Sequence, residues 1–292
     1  MSVQAEKNQG LIGRQNLTEE EEAEVRLLES ICNSYEGLDL KLALGGPPSE
    51  TAGETNKFLY YEDGMLAGFC SLDYDELCGM VHPEHRRKGI GRTLLAAALN
   101  EYKWRSVPNI LIICEEASQS GKGFVAATTS AKYDFAEHHM ELEPDANWGA
   151  PAKEDTNLDF YKAGPADVDT LARVTSASLD RPEEETRQHL QQDLTDPTQS
   201  FYIASLDQIP FGTLKTFAMG NKIGIYAFGV LPDYRGRGLG KQFMTQVIKR
   251  LMSEHWTRFA LEVETNNVNA IGLYRSLGFK ETTTYGYYKL EI

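Results

Sequence analysis

Apolar residues at Ile90, Leu94, Leu95, Ala98, Leu99 and Tyr102 recur at steps of 4, 1, 3, 1 and 3, one face of an amphipathic helix. The same spacing returns 149 residues later at Leu239, Phe243, Met244, Val247, Ile248 and Leu251. The preceding segments also agree. In VHPEHRRKGIGRTLLAAAL (81–99) and VLPDYRGRGLGKQFMTQVI (230–248), Val81, Pro83, Arg86, Gly89 and Gly91 match Val230, Pro232, Arg235, Gly238 and Gly240. A two-copy repeat of this length predicts duplicated domains rather than a solenoid, whose units are far shorter.

The second copy reads as a mixed α/β domain. Residues 158–162 predict a strand, and Pro165 suits the first turn of a helix running to Leu179. Residues 201–205 and 211–217 predict a hairpin turning at 207–210, and 223–230 a strand leading into the glycine loop and helix. Residues 259–263 predict a strand, 269–277 a helix stopped by Gly278, and 281–292 a closing strand. The first copy opens with a helix whose Thr18 and Glu21 form a capping box. Turn-forming residues make 144–157 the expected linker between domains 1–143 and 158–292. The expected architecture is α/β of the α+β mixed-sheet kind, with two tandem domains, each a twisted mixed sheet flanked by helices.

Composition narrows the class. The 292 residues suit two domains of ordinary size. The formal net charge of −14 argues against broad phosphate-backbone binding and favours a cationic partner, so no nucleic acid is expected. No apolar run is long enough to span a membrane, and the first residues lack the basic start and apolar stretch of a signal peptide. A soluble cytoplasmic protein without membrane attachment is expected. Cys32, Cys70, Cys78 and Cys114 form no C-x-x-C pair and have no His at zinc spacing. They read as buried structural thiols, with no metal site.

The candidate chemistry centres on Arg235, Gly236, Arg237, Gly238, Leu239, Gly240 and Lys241, between a strand and a helix. Glycines allow close backbone approach, the helix N-terminus supplies partial positive charge, and the cations add full charges. Together they suit a diphosphate. Lys241 stands where G-x-G-x-x-G needs glycine, and Gln242 stands where the P-loop pattern needs Ser or Thr.

The run V-x-P-x-x-R-x-x-G-x-G before an amphipathic helix resembles the acyl-CoA-binding motif of the GNAT family of N-acetyltransferases. Residues 267–279, NVNAIGLYRSLGF, resemble that family's N-x-x-A-x-x-L-Y-x-x-x-G-F motif. The resemblance implies acetyl-CoA, or another acyl-CoA, bound in the second copy. Phe228, Gly229 and Val230 would lie along the pantetheine arm, the seven loop residues at the pyrophosphate, and Asn267 against the cofactor arm. It implies Tyr274 as the acid facing the sulfur. Glu262 is the candidate base, in a Leu-Glu-Val setting that resembles the ribosomal-protein N-terminal acetyltransferase branch. Glu264, on the same strand face, is its alternative.

The first copy keeps a loop of the same kind, a second candidate binding site formed by Val81, Arg86, Arg87, Lys88, Gly89, Ile90, Gly91 and Arg92. Ile113 falls opposite Glu262 at the same offset. Matching Phe135 with Phe279 puts an insertion before the next helix, Ser130 at the place of Tyr274 and Gly123 at that of Asn267. The first domain is therefore expected to lack both proton-transfer groups. The expected function is acyl-CoA-dependent N-acetylation of an amine, on a small molecule or a protein N-terminus, by direct attack in a ternary complex on the C-terminal domain. The alternatives are a mycothiol-synthase-like small-molecule acetyltransferase and a non-catalytic acyl-CoA sensor.

Overall fold

A computed structural model describes residues 9–42, 44, 53–127, 130–145, 148–149 and 157–292. Two compact units emerge. Unit 1 holds the chain up to Glu137 together with Thr283–Ile292, and unit 2 holds His138–Thr282.

In unit 1 the elements are β1 (Gly10–Arg14), α1 (Glu19–Glu36), β2 (Lys57–Glu62), β3 (Met65–Asp73), β4 (Glu76–Val81), α2 (Ile90–Trp104), β5 (Asn109–Glu115) and α3 (Gln119–Ala126). The strand β6 (Lys132–Leu142) begins in unit 1 and continues into unit 2. Unit 2 continues with β7 (Leu158–Lys162), α4 (Val168–Leu179), α5 (Glu183–Asp193), β8 (Gln199–Leu206), β9 (Ile209–Met219), β10 (Lys222–Val230), α6 (Leu239–Ser253), β11 (Phe259–Glu264) and α7 (Val268–Ser276). The last strand, β12 (Lys280–Glu291), has its final residues in unit 1.

The sheet of unit 1 runs β1-β2-β3-β4-β5-β12, and that of unit 2 runs β6-β11-β10-β9-β8-β7. One parallel pair stands inside each, β4 with β5 and β10 with β11. Each unit is therefore closed by a strand that sequence order assigns to the other copy. The compact units thus divide elsewhere than the expected linker 144–157, of which residues 146–147 and 150–156 lie outside the described residues. The register pairs Tyr285 with Glu115, Tyr287 with Ile113 and Glu291 with Asn109. It buries Tyr287 against Cys78 and Ile113, and Leu290 in the cluster around Ala98 and Ile110. Strand periodicity in the chain specifies such a face but not its partner.

The predicted helical stripe is the core of unit 2. Leu239, Phe243, Met244, Val247, Ile248 and Leu251 are all buried, packed with Phe211, Phe259 and Phe279. Thr18 caps α1 as expected: its hydroxyl accepts from Glu21 N at 3.2 Å, and its own amide donates to the Glu21 carboxylate at 3.0 Å. The hairpin between β8 and β9 turns on Asp207 and Gln208, with φ of 50° and 67°, the pairing of left-handed residues that suits strand twist. Helix α5 carries little apolar periodicity and was not foreseen from sequence. Among the described residues no helix is long and apolar enough to cross a membrane. Phe243 is fully buried among Phe160, Phe211 and Phe228. Phe243→Ala is expected to lower the unfolding free energy by about 3–5 kcal/mol through lost burial and a residual cavity. Urea denaturation followed by intrinsic fluorescence checks this, and a change below about 1 kcal/mol would show that the site collapses.

Candidate active site

In unit 2 the site grows from a strand that parts from its neighbour. The parallel ladder joins Ile223, Gly224 and Ile225 to Phe259, Ala260 and Leu261, and goes no further. Strand β10 continues to Val230 against β9, with an irregularity between Tyr226 and Gly229. Ala227 there has φ of 44°, a left-handed conformation that a non-glycine residue adopts only when its surroundings impose it. The extra residue bends the strand and re-aims its side chains. Beyond Ile225 β10 no longer pairs with β11, so Phe228, Gly229 and Val230 lie past the end of that ladder, with Gly229 and Val230 still paired to β9 and the Val230 carbonyl accepting from Arg235.

The glycine loop follows a turn at Pro232–Tyr234. Gly236 and Gly238 have φ of 72° and 78°, and a Cβ at either would meet open space. Gly238 is the N-cap of α6 and offers no side-chain cap, so the first amides of that helix remain available to an anion. Arg237 lies over the Tyr234 ring, 5.5 Å from its centroid. Leu239 is buried in the core, so its contribution to a ligand is its amide alone. Gly240 sits in a tight spot: a Cβ there would lie 3.3 Å from both Phe228 Cζ and Val230 Cγ2, close enough that those side chains would have to give by a few tenths of an ångström.

Three residues expected at the cofactor have other work. Arg235 donates from Nε to Val230 O and from Nη2 to Ser178 O, each at 2.8 Å. Its guanidinium ties the loop to the strand end and to α4 rather than pointing outward. Lys241 Nζ donates to Ser276 O at 3.0 Å, on the last turn of α7. Asn267 is the N-cap of α7, its Oδ1 accepting from Ala270 N at 3.2 Å.

Tyr274, on α7, is buried in the unit 2 core. Its ring packs against Phe228 and Phe279 at centroid distances of 6.4 and 6.0 Å. Burial pushes its phenol up to about 12, and its hydroxyl makes no hydrogen bond among the described residues. The group stays protonated at neutral pH with its proton uncommitted. Glu262 is half-buried on β11, whereas Glu264, its alternative, is exposed at the strand end. The Glu262 carboxylate lies 3.7 Å from His139 Nδ1. His139 Nε2 is in turn 3.5 Å from the Glu141 carboxylate. Glu141 is partly buried, which opposes ionisation, but hydrogen bonds from Lys222 at 2.9 Å and from His139, with Arg258 nearby, hold it below the usual carboxylate range. His139 was not foreseen. It sits on β6, in the part of the chain that the repeat assigns to the first copy, so no reading of the second copy alone reaches it.

Unit 1 carries the matching scaffold without the matching groups. Arg86 ties its loop in the same way, donating from Nε to Val81 O at 3.1 Å and from Nη1 to Glu36 at 2.5 Å. Arg87 takes φ of 66° where unit 2 has Gly236, and Lys88 lies 3.3 Å from Glu62. Gly89, with φ of 92°, is the uncapped start of α2. The loop borders a cavity of about 530 Å³ lined by Val81, Arg87, Gly89, Gly91 and Arg92, with Ile90 on its wall. All four cysteines line it as free thiols. Burial pushes Cys78 up to about 12 and Cys114 up to about 11, so both are neutral.

Helix α3 corrects the sequence register. Ser118 caps α3 by accepting from Gly121 N at 2.9 Å, as Asn267 caps α7, and the two stand 149 residues apart. The offset therefore holds through the helix. Val125, buried in the core, occupies the place of Tyr274, rather than Ser130, and Ser118 rather than Gly123 matches Asn267. Ile113 remains opposite Glu262, paired in the sheet with Tyr287.

Residues 168–279 match the Acetyltransferase (GNAT) family, and residues 54–133 match the Acetyltransferase (GNAT) domain. A mycothiol acetyltransferase of Streptomyces coelicolor is 27% identical over 267 residues, covering 86% of this chain and 84% of its own. One from Segniliparus rotundus is 30% identical over 219 residues, covering 68% and 78%. A GCN5-related N-acetyltransferase from Sphaerobacter thermophilus superposes with a TM-score of 0.76 at 18% identity, covering 96% of this chain and 95% of its own. A tandem GNAT protein from the clavulanic acid biosynthesis pathway superposes at 0.71 and 16% identity, covering 96% and 98%. With both halves matched and the tandem architecture shared, the chain belongs to the acetyltransferase (GNAT) family and is an N-acetyltransferase.

Proposed function

We propose that unit 2 transfers an acyl group from acetyl-CoA, or another acyl-CoA, directly to the amine of a small molecule. The observation that carries this reading is Tyr274, a buried neutral phenol with an uncommitted hydroxyl whose ring packs beside Phe228 of β10, where unit 1 has Val125. The diphosphate fits the open side of Gly236 and Gly238 and the uncapped start of α6, with Arg237 beside them. Glu262 takes the proton of the attacking amine. Amides of β10 beyond Ile225 donate to the oxyanion. The N–C bond forms first, giving the tetrahedral oxyanion. Its collapse breaks the C–S bond as Tyr274 gives its proton to the departing sulfur, and the products are an amide and a free thiol. Proton exchange with solvent returns Glu262 to the carboxylate and Tyr274 to the phenol. The small-molecule acceptor is favoured over a protein N-terminus by similarity to mycothiol acetyltransferases across most of both chains.

A panel of amino sugars, amino-thiols, polyamines and short peptides, assayed with acetyl-CoA by thiol release, tests the reading. Turnover confined to peptides would replace the acceptor class. No turnover with any amine would leave a non-catalytic binding protein. Glu262→Gln is expected to slow turnover about 100-fold near pH 7. Part of that loss should return at high pH, where the amine arrives already deprotonated. Equal activity of Glu262→Gln and wild type at pH 7 would move the base elsewhere.

A further inference from the structure

We infer that Phe228 sets the acyl-chain length accepted by unit 2, confining it to acetyl-sized groups. The inference rests on the reading of unit 2 as the catalytic unit. If Tyr274 protonates the departing sulfur and the amides of β10 hold the carbonyl oxygen, the acyl carbon lies between them. Any atoms beyond the carbonyl must then find room beside whatever side chain stands between that strand and Tyr274. That side chain is Phe228. Its ring centroid is 6.4 Å from that of Tyr274 and 6.2 Å from that of Phe243. Its Cζ stands 3.3 Å from where a Cβ on Gly240 would be, at the first turn of α6. The ring is thus wedged between the helix start and the candidate acid, with Gly240 leaving it room.

The other copy shows the same scaffold without the wedge. Two residues before the matching valine, where unit 2 has Phe228, unit 1 has Gly79. Strand β4 pairs with β3 without interruption as far as Val81, so it also lacks the irregularity that turns Phe228. Gly79 lines the cavity of about 530 Å³, which reaches Cys70, Leu77 and Ile112. Helix start, glycine loop and parted parallel strands are common to both units. The local difference at this position is a benzyl group and one extra strand residue.

The experiment is a comparison of kcat/KM for acetyl-, butyryl- and hexanoyl-CoA with one acceptor amine, in the full-length protein and in Phe228→Leu and Phe228→Ala. Wild type is expected to favour acetyl over butyryl by at least about tenfold, since a methylene without room costs about 10- to 200-fold. Phe228→Leu, which keeps most of the packing, should narrow that ratio. Phe228→Ala should bring butyryl within about threefold of acetyl. Thermal unfolding reports whether each variant is folded, and the Leu variant carries the test if the Ala variant is not. A wild-type enzyme that uses hexanoyl-CoA as well as acetyl-CoA overturns the inference. So does an unchanged ratio in a folded Leu variant. Absence of turnover with every acyl-CoA and amine overturns the functional reading and this inference with it, whereas turnover with an unmoved ratio overturns this inference alone.

Discussion

Tyr274→Phe should slow the chemical step by about two to four orders of magnitude while acyl-CoA affinity persists. The substitution removes one oxygen. The ring contacts with Phe228 and Phe279 survive it, and no hydrogen bond to a described residue is lost, so folding should be nearly unchanged. Burial holds the phenol up near 12, so the acid form is fully populated at neutral pH and remains so well past the ordinary tyrosine value. This sets the sign of the pH dependence. Loss of this acid cannot produce an alkaline fall in kcat below about pH 10, where a solvent-exposed tyrosine would already be half ionised. A single-turnover measurement with saturating acyl-CoA isolates the step. Wild-type rates in Tyr274→Phe, where chemistry limits turnover, would remove Tyr274 from the mechanism. A large rise in the dissociation constant with little change in rate would make it a packing residue.

What the sequence made legible, and what it left dark, divides along physical lines. Local periodicity and capping were readable because their partners are a few residues away. The stripe from Leu239 to Leu251 lies in the core, and Thr18 and Glu21 cap one another. The glycines of the loop were readable because positive φ at Gly236 and Gly238 restricts residue choice. The tie that Arg235 makes was not legible because its partners are backbone carbonyls, one of them 57 positions away, and a carbonyl leaves no trace in residue identity. The closing strand was read from residues 281–292, but its pairing with β5, like the place of His139, was invisible for a related reason: a strand pattern states which face is apolar but not which neighbour it meets. The register of α3 failed at an aromatic match. Phe135 was aligned with Phe279, whereas it lies on β6 and stacks on Tyr287 at 4.4 Å. The better cue was Ser118, a capping residue at the same offset as Asn267.

Gly238→Val should abolish acyl-CoA-dependent turnover, whereas Gly89→Val should leave the rate per folded molecule largely intact. Both glycines sit at the N-cap of a 15-residue helix, at φ of 78° and 92°. A β-branched residue is strained at such angles and projects into the space that a diphosphate would occupy. The substitutions are thus matched in chemistry and in the strain they impose, and differ in what the groove contains. Unit 2 has Tyr274 beside Phe228 of β10 and Glu262 one residue past the end of the β10–β11 ladder. Unit 1 has Val125 and Ile113, neither of which moves a proton. Unit 1 also keeps the open cavity, so a bound acyl-CoA there would report by calorimetry as lost stoichiometry in Gly89→Val without lost rate. Thermal unfolding separates a disabled site from a disrupted unit, since strain at either N-cap costs stability as well as binding. If Gly89→Val folds normally yet loses turnover as completely as Gly238→Val, catalysis does not reside in unit 2 alone. If Gly238→Val folds and retains turnover while Gly89→Val does not, the roles of the units are reversed, and the buried carboxylate Glu115 beside the unit 1 cavity becomes the group to test.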